Sequence, residues 1–307
     1  MRNLFLCVFF LWSIGLNAQT INISGIFINE ITGEPIPFAT IEILGKGIGC
    51  AANFKGKFSL ELSLNYSRDT VKCSSLAYAS KLLDFKSFGK DYSDIVIQLK
   101  PISYTLKEIE VFEPGLGNFK LGNYEDRKKS AGGQMSQQNA QIAVYMDSKR
   151  YRKAKILNAS FYISRTCGKP ETPFRVRVYS VDERTGNPGN DLILANIIIK
   201  GKRKGGWTTV DLSKYNIDAP SSGYFVAMEW INTGDEYYYQ TYINIINKIV
   251  TNYGQICSIT KIIPFPNTWD YTYGYGWKKY TGKMKDGFYY NSMITSEITI
   301  QKSVVSG

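Results

Sequence analysis

Residues 57–62 read Lys57-Phe58-Ser59-Leu60-Glu61-Leu62, apolar and polar side chains in strict alternation. A pleated strand points successive side chains to opposite faces, so this period puts Phe58, Leu60 and Leu62 on one face and the polar residues on the other. The same period recurs on both sides, in Asn22-Ile23-Ser24-Gly25-Ile26-Phe27-Ile28, Ala39-Thr40-Ile41-Glu42-Ile43-Leu44, Asp69-Thr70-Val71-Lys72-Cys73 and Asp94-Ile95-Val96-Ile97-Gln98-Leu99. Gly, Asn, Asp and Ser separate the runs, and none of them carries the 3.6-residue apolar stripe of a helix. Short alternating runs at this spacing predict an all-β sandwich or barrel.

Further along, the β signals continue with longer spacing. Strands are predicted over 154–163, 174–179, 192–199, 207–212, 223–231 and 293–300, with Arg175 and Arg177 on the exposed face of theirs. This length and strand number fit a larger, jelly-roll-like β-sandwich. Glu113-Pro114-Gly115-Leu116-Gly117 marks the end of the first unit. The expected organisation is residues 19–112 as one β-sandwich, 113–141 as a linker or the opening stretch of the next unit, and 142–307 as the jelly-roll-like domain.

The N-terminus predicts export from the cytosol. Met1-Arg2-Asn3 is a short basic start, residues 4–12 are unbroken apolar, and Ala18 suits the position before a cleavage. The pattern predicts a signal peptide spanning 1–18. The apolar run is shorter than the roughly 20 residues that a spanning helix needs, so no transmembrane segment is expected in the mature chain. Export to the periplasm, or to the outer membrane and cell surface, follows.

Composition removes whole classes of chemistry. The 307 residues include 37 Lys and Arg, 26 Asp and Glu, and no histidine. A Ser-His-Asp or Cys-His nucleophile and an imidazole zinc site are therefore excluded. The formal charge of +11 concentrates at 149–155 and 200–204, clusters that flank strands and read as solvated loops or as a surface for an anionic polymer. No nucleic-acid module is present, and no nucleic-acid partner, cofactor or metal is expected. Residues 182–191 hold oxygen donors that calcium would accept, in residue types that form turns equally well. Cys50, Cys73, Cys167 and Cys257 either stay free or pair as Cys50–Cys73 and Cys167–Cys257.

The first unit resembles the carboxypeptidase regulatory-like domain on several motifs in order. These are Ser24-Gly25 at the opening of the first strand, residues 32–40 (Thr-Gly-Glu-Pro-Ile-Pro-Phe-Ala-Thr), residues 49–58, and Ser74-Ser75-Leu76-Ala77-Tyr78. Leu99-Lys100-Pro101 and Leu106-Lys107-Glu108-Ile109-Glu110-Val111 resemble the closing strand and trailing segment. The resemblance covers about 90 residues and implies a small transthyretin-like β-sandwich without catalytic function, in a cell-envelope setting. Cys50 and Ala52 stand where the family has threonines, Asn53 where it has aspartate and Ala77 where it has glycine. Asn53-Phe54-Lys55-Gly56 reads as a hairpin turn.

One local anomaly points to ligand binding. Residues 265–290 hold ten aromatic side chains, and Trp269-Asp270-Tyr271-Thr272-Tyr273-Gly274-Tyr275-Gly276-Trp277 spaces five of them at odd positions. In one continuous strand Trp269, Tyr271, Tyr273, Tyr275 and Trp277 would share a face. Sugars stack flat C–H faces on such rings while Asp270 takes their polar edges, so a glycan or an envelope protein is the expected partner. Packing within a core and scattering by the two glycines are the competing outcomes. Glu229, inside an apolar run, and Asp270 form the one carboxylate pair that could hydrolyse a glycoside, with no catalytic residue assigned under the binding reading. Docking onto an outer-membrane complex through the first unit is the further alternative.

Overall fold

The computed structural model describes residues 20–89, 91–102, 117–124, 133–134, 140–243, 247–260, 264–282 and 289–300. The expected signal peptide at 1–18 and the trailing motif at 106–111 lie outside these residues. Within them the chain is all-β, built as two successive sandwiches.

The first unit contains β1 (Thr20–Asn29), β2 (Thr40–Ile43), β3 (Ile48–Ala51), β4 (Lys57–Ser63), β5 (Thr70–Ser74), β6 (Lys81–Asp84) and β7 (Ile95–Leu99). A three-stranded sheet in the order β4-β1-β7 faces a four-stranded sheet in the order β3-β2-β5-β6. The alternation works as read: Phe58, Leu60 and Leu62 point inward and join Ile23, Phe27, Ile41, Ile43 and Val71 in one core. Burying a side chain of this size contributes roughly 1.5–3 kcal/mol. Ser24-Gly25 lies in the middle of β1 and does not open it. Gly25 is needed there because a Cβ would collide with the Ile95 carbonyl of β7, the strand that pairs parallel with β1. Asn53–Gly56 does turn the chain, with Asn53 Oδ1 accepting from the Lys55 and Lys57 amides. It is not a hairpin within one sheet, however, because β3 and β4 lie in different sheets.

The second unit contains β8 (Asn118–Gly122), β9 (Gly133–Gln134), β10 (Gln141–Met146), β11 (Ala154–Ile163), β12 (Pro173–Val181), β13 (Pro188–Asp191), β14 (Ile197–Lys200) and β15 (Gly206–Asp211). It continues with β16 (Asp218–Ala219), β17 (Tyr224–Trp230), β18 (Tyr238–Ile243), β19 (Lys248–Tyr253), β20 (Cys257–Thr260), β21 (Thr268–Thr272), β22 (Gly276–Lys279), β23 (Asn291–Ser292) and β24 (Ile294–Ile300). One sheet runs β13-β12-β17-β10-β21-β22, with β14 also on β12. The other runs β23-β20-β11-β24-β8, with β15 and β16 on β11 and β9 on β20. Ile142, Val144, Phe161, Val176, Val226, Met228 and Ile298 fill the space between them. The segment 113–141 thus carries β8, which pairs antiparallel with β24 and opens the second sandwich. A reciprocal amide pair pins its end: Asn123 Nδ2 donates to Asn267 Oδ1 at 2.8 Å, and Asn267 Nδ2 returns to Asn123 Oδ1 at 2.6 Å.

The four described cysteines are free. Cys50 and Cys73 face Ile41 of β2 from its two sides. They are therefore two strand spacings, about 10 Å, apart. That exceeds the roughly 7 Å between Cα atoms that a bridge can span. Cys257 is buried and Cys167 is exposed, and neither of the paired alternatives forms. No helix among the described residues is long and apolar enough to cross a membrane.

Candidate functional site

The register of the seven-stranded sheet decides which side chains meet. Arg175 stands opposite Glu229, Glu229 opposite Gln141, Gln141 opposite Tyr271, and Tyr271 opposite Trp277. One row across five strands therefore carries a guanidinium, a carboxylate, an amide, a phenol and an indole on the face turned away from the core. The next rows add Arg177 and Trp269, then Tyr179, Phe225 and Tyr145.

The aromatic segment is a hairpin, not one strand. Thr272 to Tyr275 forms its turn, closed by the Tyr275 amide on the Thr272 carbonyl at 3.1 Å. Gly274 takes φ +75° there, backbone that favours glycine. The turn sends Trp269, Tyr271 and Trp277 to the outer face and keeps Tyr273 and Tyr275 at the tip. Trp269 is buried against Phe225 at 4.8 Å, and its Nε1 donates to Asn187 Oδ1 at 3.0 Å. Trp277 meets Tyr179 and Tyr271 edge to face at 5.6 and 5.2 Å. Tyr275 is 66% exposed.

The first sandwich sits on this hairpin. Glu42 of β2 is buried, with 1% exposure, and its carboxylate accepts from the Tyr271 hydroxyl at 2.9 and 3.0 Å and from the Gly274 amide at 2.7 Å. Lys72 on β5 adds an ion pair to Glu42 at 2.9 Å. The Gly45 amide donates to the Gly274 carbonyl at 2.8 Å. Burial and the facing Glu42 carboxylate push the Tyr271 hydroxyl far above the ordinary tyrosine range, so it remains a proton donor to Glu42. Glu42 alternates outward on a short strand, and no local pattern signals that it meets a residue 229 positions away.

Between the sandwiches lies a cleft of about 610 Å³ lined by Arg175, Arg177, Glu229, Asp191, Tyr271 and Trp277, among others. Arg175 and Arg177 are not on an exposed face, as alternation alone predicts; they are 2% and 9% exposed. Alternation correctly turns them from the core, and the first sandwich and paired carboxylates cover them. Arg175 Nη1 reaches both Glu229 oxygens at 3.2 Å, and Arg177 Nη1 reaches Oε2 at 2.9 Å. Arg177 also grips Asp191 through Nε at 2.8 Å and Nη2 at 2.6 Å. The Phe38 ring of the first sandwich lies 5.7 Å from the Arg175 guanidinium. Burial pushes the Glu229 carboxyl up, but Arg175 and Arg177 outweigh it and hold it below the usual range. Removing one member of such a buried network costs about 3–5 kcal/mol.

Glu229 and Asp270 cannot act as a pair across one bond. Asp270 stands opposite Ile142 and Lys278, one register step from Tyr271 and so on the other side of the sheet. Burial raises its carboxyl to about 6, and Oδ1 has no hydrogen-bond partner among the described residues. In the 182–191 loop, Asp182 Oδ1 accepts from the Arg184 and Thr185 amides and Asp191 holds Arg177, which makes the loop's acids turn and ion-pair residues. No group of three metal-ligating acids or cysteines occurs among the described residues. Lys149, Arg150, Arg152 and Lys153 are exposed in their loop, and Lys155 pairs with Asp218.

No family model and no curated protein matches this sequence. Among solved structures, the chain is similar to the cysteine protease and lectin-like domains of Cwp84, a surface layer associated protein of Clostridium difficile. The identity is 12% and the TM-score 0.32, over 52% of this chain and 32% of that one.

Proposed function

We propose that this chain is an exported, non-catalytic binding protein of the cell envelope that holds a glycan in the cleft between its two sandwiches. The observation that carries the reading is the row Arg175, Glu229, Gln141, Tyr271, Trp277 on one sheet face. It combines fixed polar groups with rings that can stack on a sugar face, in a cavity of ligand size. Trp277, half-buried and edge-on to its two tyrosine neighbours, is the ring on which we place that stacking. Catalysis is disfavoured because the held-down, doubly paired Glu229 is a poor proton donor and Asp270 lies on the opposite face. Export rests on the signal-like 1–18 segment, and the envelope setting on the likeness of the first unit to carboxypeptidase regulatory-like domains.

Affinity electrophoresis tests the reading. The purified mature chain should be retarded in gels containing one or more soluble polysaccharides. Trp277→Ala should weaken retention about tenfold, the loss of one stacking contact worth about 1.4 kcal/mol, while the variant still melts in one cooperative transition above the assay temperature. A parent protein that migrates freely through every polysaccharide would end the glycan reading.

A further inference from the structure

A second cavity of about 500 Å³ lies between the sandwiches, on the other side of the hairpin tip. It shares two wall residues, Ala140 and Tyr273, with the first cleft. Tyr273 lies against Gly49, where a Cβ would collide with its ring. The tip thus divides one interdomain seam into two chambers.

The chambers differ in charge. In the first, Arg175, Arg177 and Lys72 face Glu229, Asp191 and Glu42, and each charge is paired internally. Among the described residues that line the second, none is a carboxylate and Lys57 is the one cation. Cys50, also in that wall, adds no charge near neutral pH, since burial pushes its thiol up to about 12. What the second chamber offers is rings and neutral polar groups. Tyr238 and Tyr253 cross edge to face at 4.8 Å, with Trp230 beside them. The Asn232 and Thr251 side chains make no hydrogen bond among the described residues, and Asn53 spends only its carbonyl oxygen, on the Lys55 and Lys57 amides. An amide offers a donor and an acceptor side by side, which suits neighbouring hydroxyls on one ring.

We infer that this second chamber is a further saccharide subsite, so that the ligand is a linear oligosaccharide with uncharged residues running past Tyr273 through both chambers. The inference rests on the glycan reading of the first cleft and adds chain length and neutrality to it. A chain that fills both chambers gains the second set of contacts without a second loss of translational freedom. The cations of the first chamber are all paired, and the second has the single exposed Lys57, too little charge for a repeating uronate or sulfate.

Titration calorimetry on the mature chain, with dimers and hexamers of cello-, xylo-, manno- and β-1,3-gluco-oligosaccharides, tests it. A hexamer should bind at least about tenfold tighter than its dimer. The double variant Asn232→Ala/Tyr238→Ala should bring the hexamer-to-dimer affinity ratio toward one, with an unchanged melting temperature. Because Tyr238 and Asn232 are not core residues, the fold should tolerate both changes. Equal affinity for hexamer and dimer in the parent protein, or an unaltered ratio in the variant, would overturn the second subsite alone. Tighter binding of a polygalacturonate hexamer would overturn neutrality and leave the glycan reading standing. No binding of any oligosaccharide would overturn both.

Discussion

Ala77 takes φ +66°, in the left-handed region that costs a residue with a Cβ roughly 1–2 kcal/mol. The motif that this stretch resembles carries glycine at this position, and the backbone here has a geometry that glycine adopts without strain. Ala77→Gly should release that strain, less the greater chain entropy of glycine, for a net gain of roughly 0.5–1 kcal/mol. A higher urea midpoint is the expected result, and an unchanged or lower midpoint would argue against strain at this position. Asp270 stores a different cost. Its carboxyl titrates near 6 in the folded chain against about 3.9 when unfolded. Between those values the folded state holds more protons, so stability falls as pH rises from about 4 to about 6, and the full penalty persists above that. Two pH units correspond to roughly 3 kcal/mol, an upper bound for a partly buried group. Asp270→Asn should raise the urea midpoint at pH 7 and leave it nearly unchanged at pH 3. Equal midpoints for variant and parent at pH 7 would contradict a buried, unpaired carboxylate.

At the scale of elements, the strands with one buried face were the legible ones, because burial on one face writes a period of two into the sequence; Tyr224–Trp230, buried on both faces, reads as a near-continuous apolar run instead. Lys57–Ser63 shows the pattern in full. The 269–277 segment was less legible, since the aromatic spacing alone fits one strand and the two glycines break it. The hairpin itself is fixed by Gly274, which takes φ +75° and approaches the Ile43 carbonyl so closely that a Cβ would collide with it. Gly274→Ala should therefore displace the tip from the first sandwich and weaken the Glu42 contact. The backbone term alone is roughly 1–2 kcal/mol. Two separated melting transitions and a larger radius of gyration in small-angle scattering are expected. A single transition with unchanged dimensions would show that the tip does not hold the units together.

On the scale of the whole molecule, what the sequence could not reveal is coverage. Alternation assigns Arg175 and Arg177 to the side of β12 away from the core, and that is where they are. Whether that side meets water or another domain depends on chain well over a hundred residues earlier, and no local pattern encodes it. Glu229 within an apolar run was the available sign, because a carboxylate so placed needs cations, and β12 supplies two. The binding chambers share this origin. They belong to neither sandwich alone, so their chemistry was readable in fragments and their assembly was not.

The Glu42 carboxylate has its proton donor, Tyr271, and its amide donor, Gly274, 229 and 232 residues further along the chain. While synthesis is under way the first sandwich can close around its own core, yet this acid lacks both donors until residue 274 has been delivered. Docking of the two sandwiches thus waits on the 268–279 hairpin. A chain halted before residue 271 would leave Glu42 with Lys72 as its partner and the seam open to proteases.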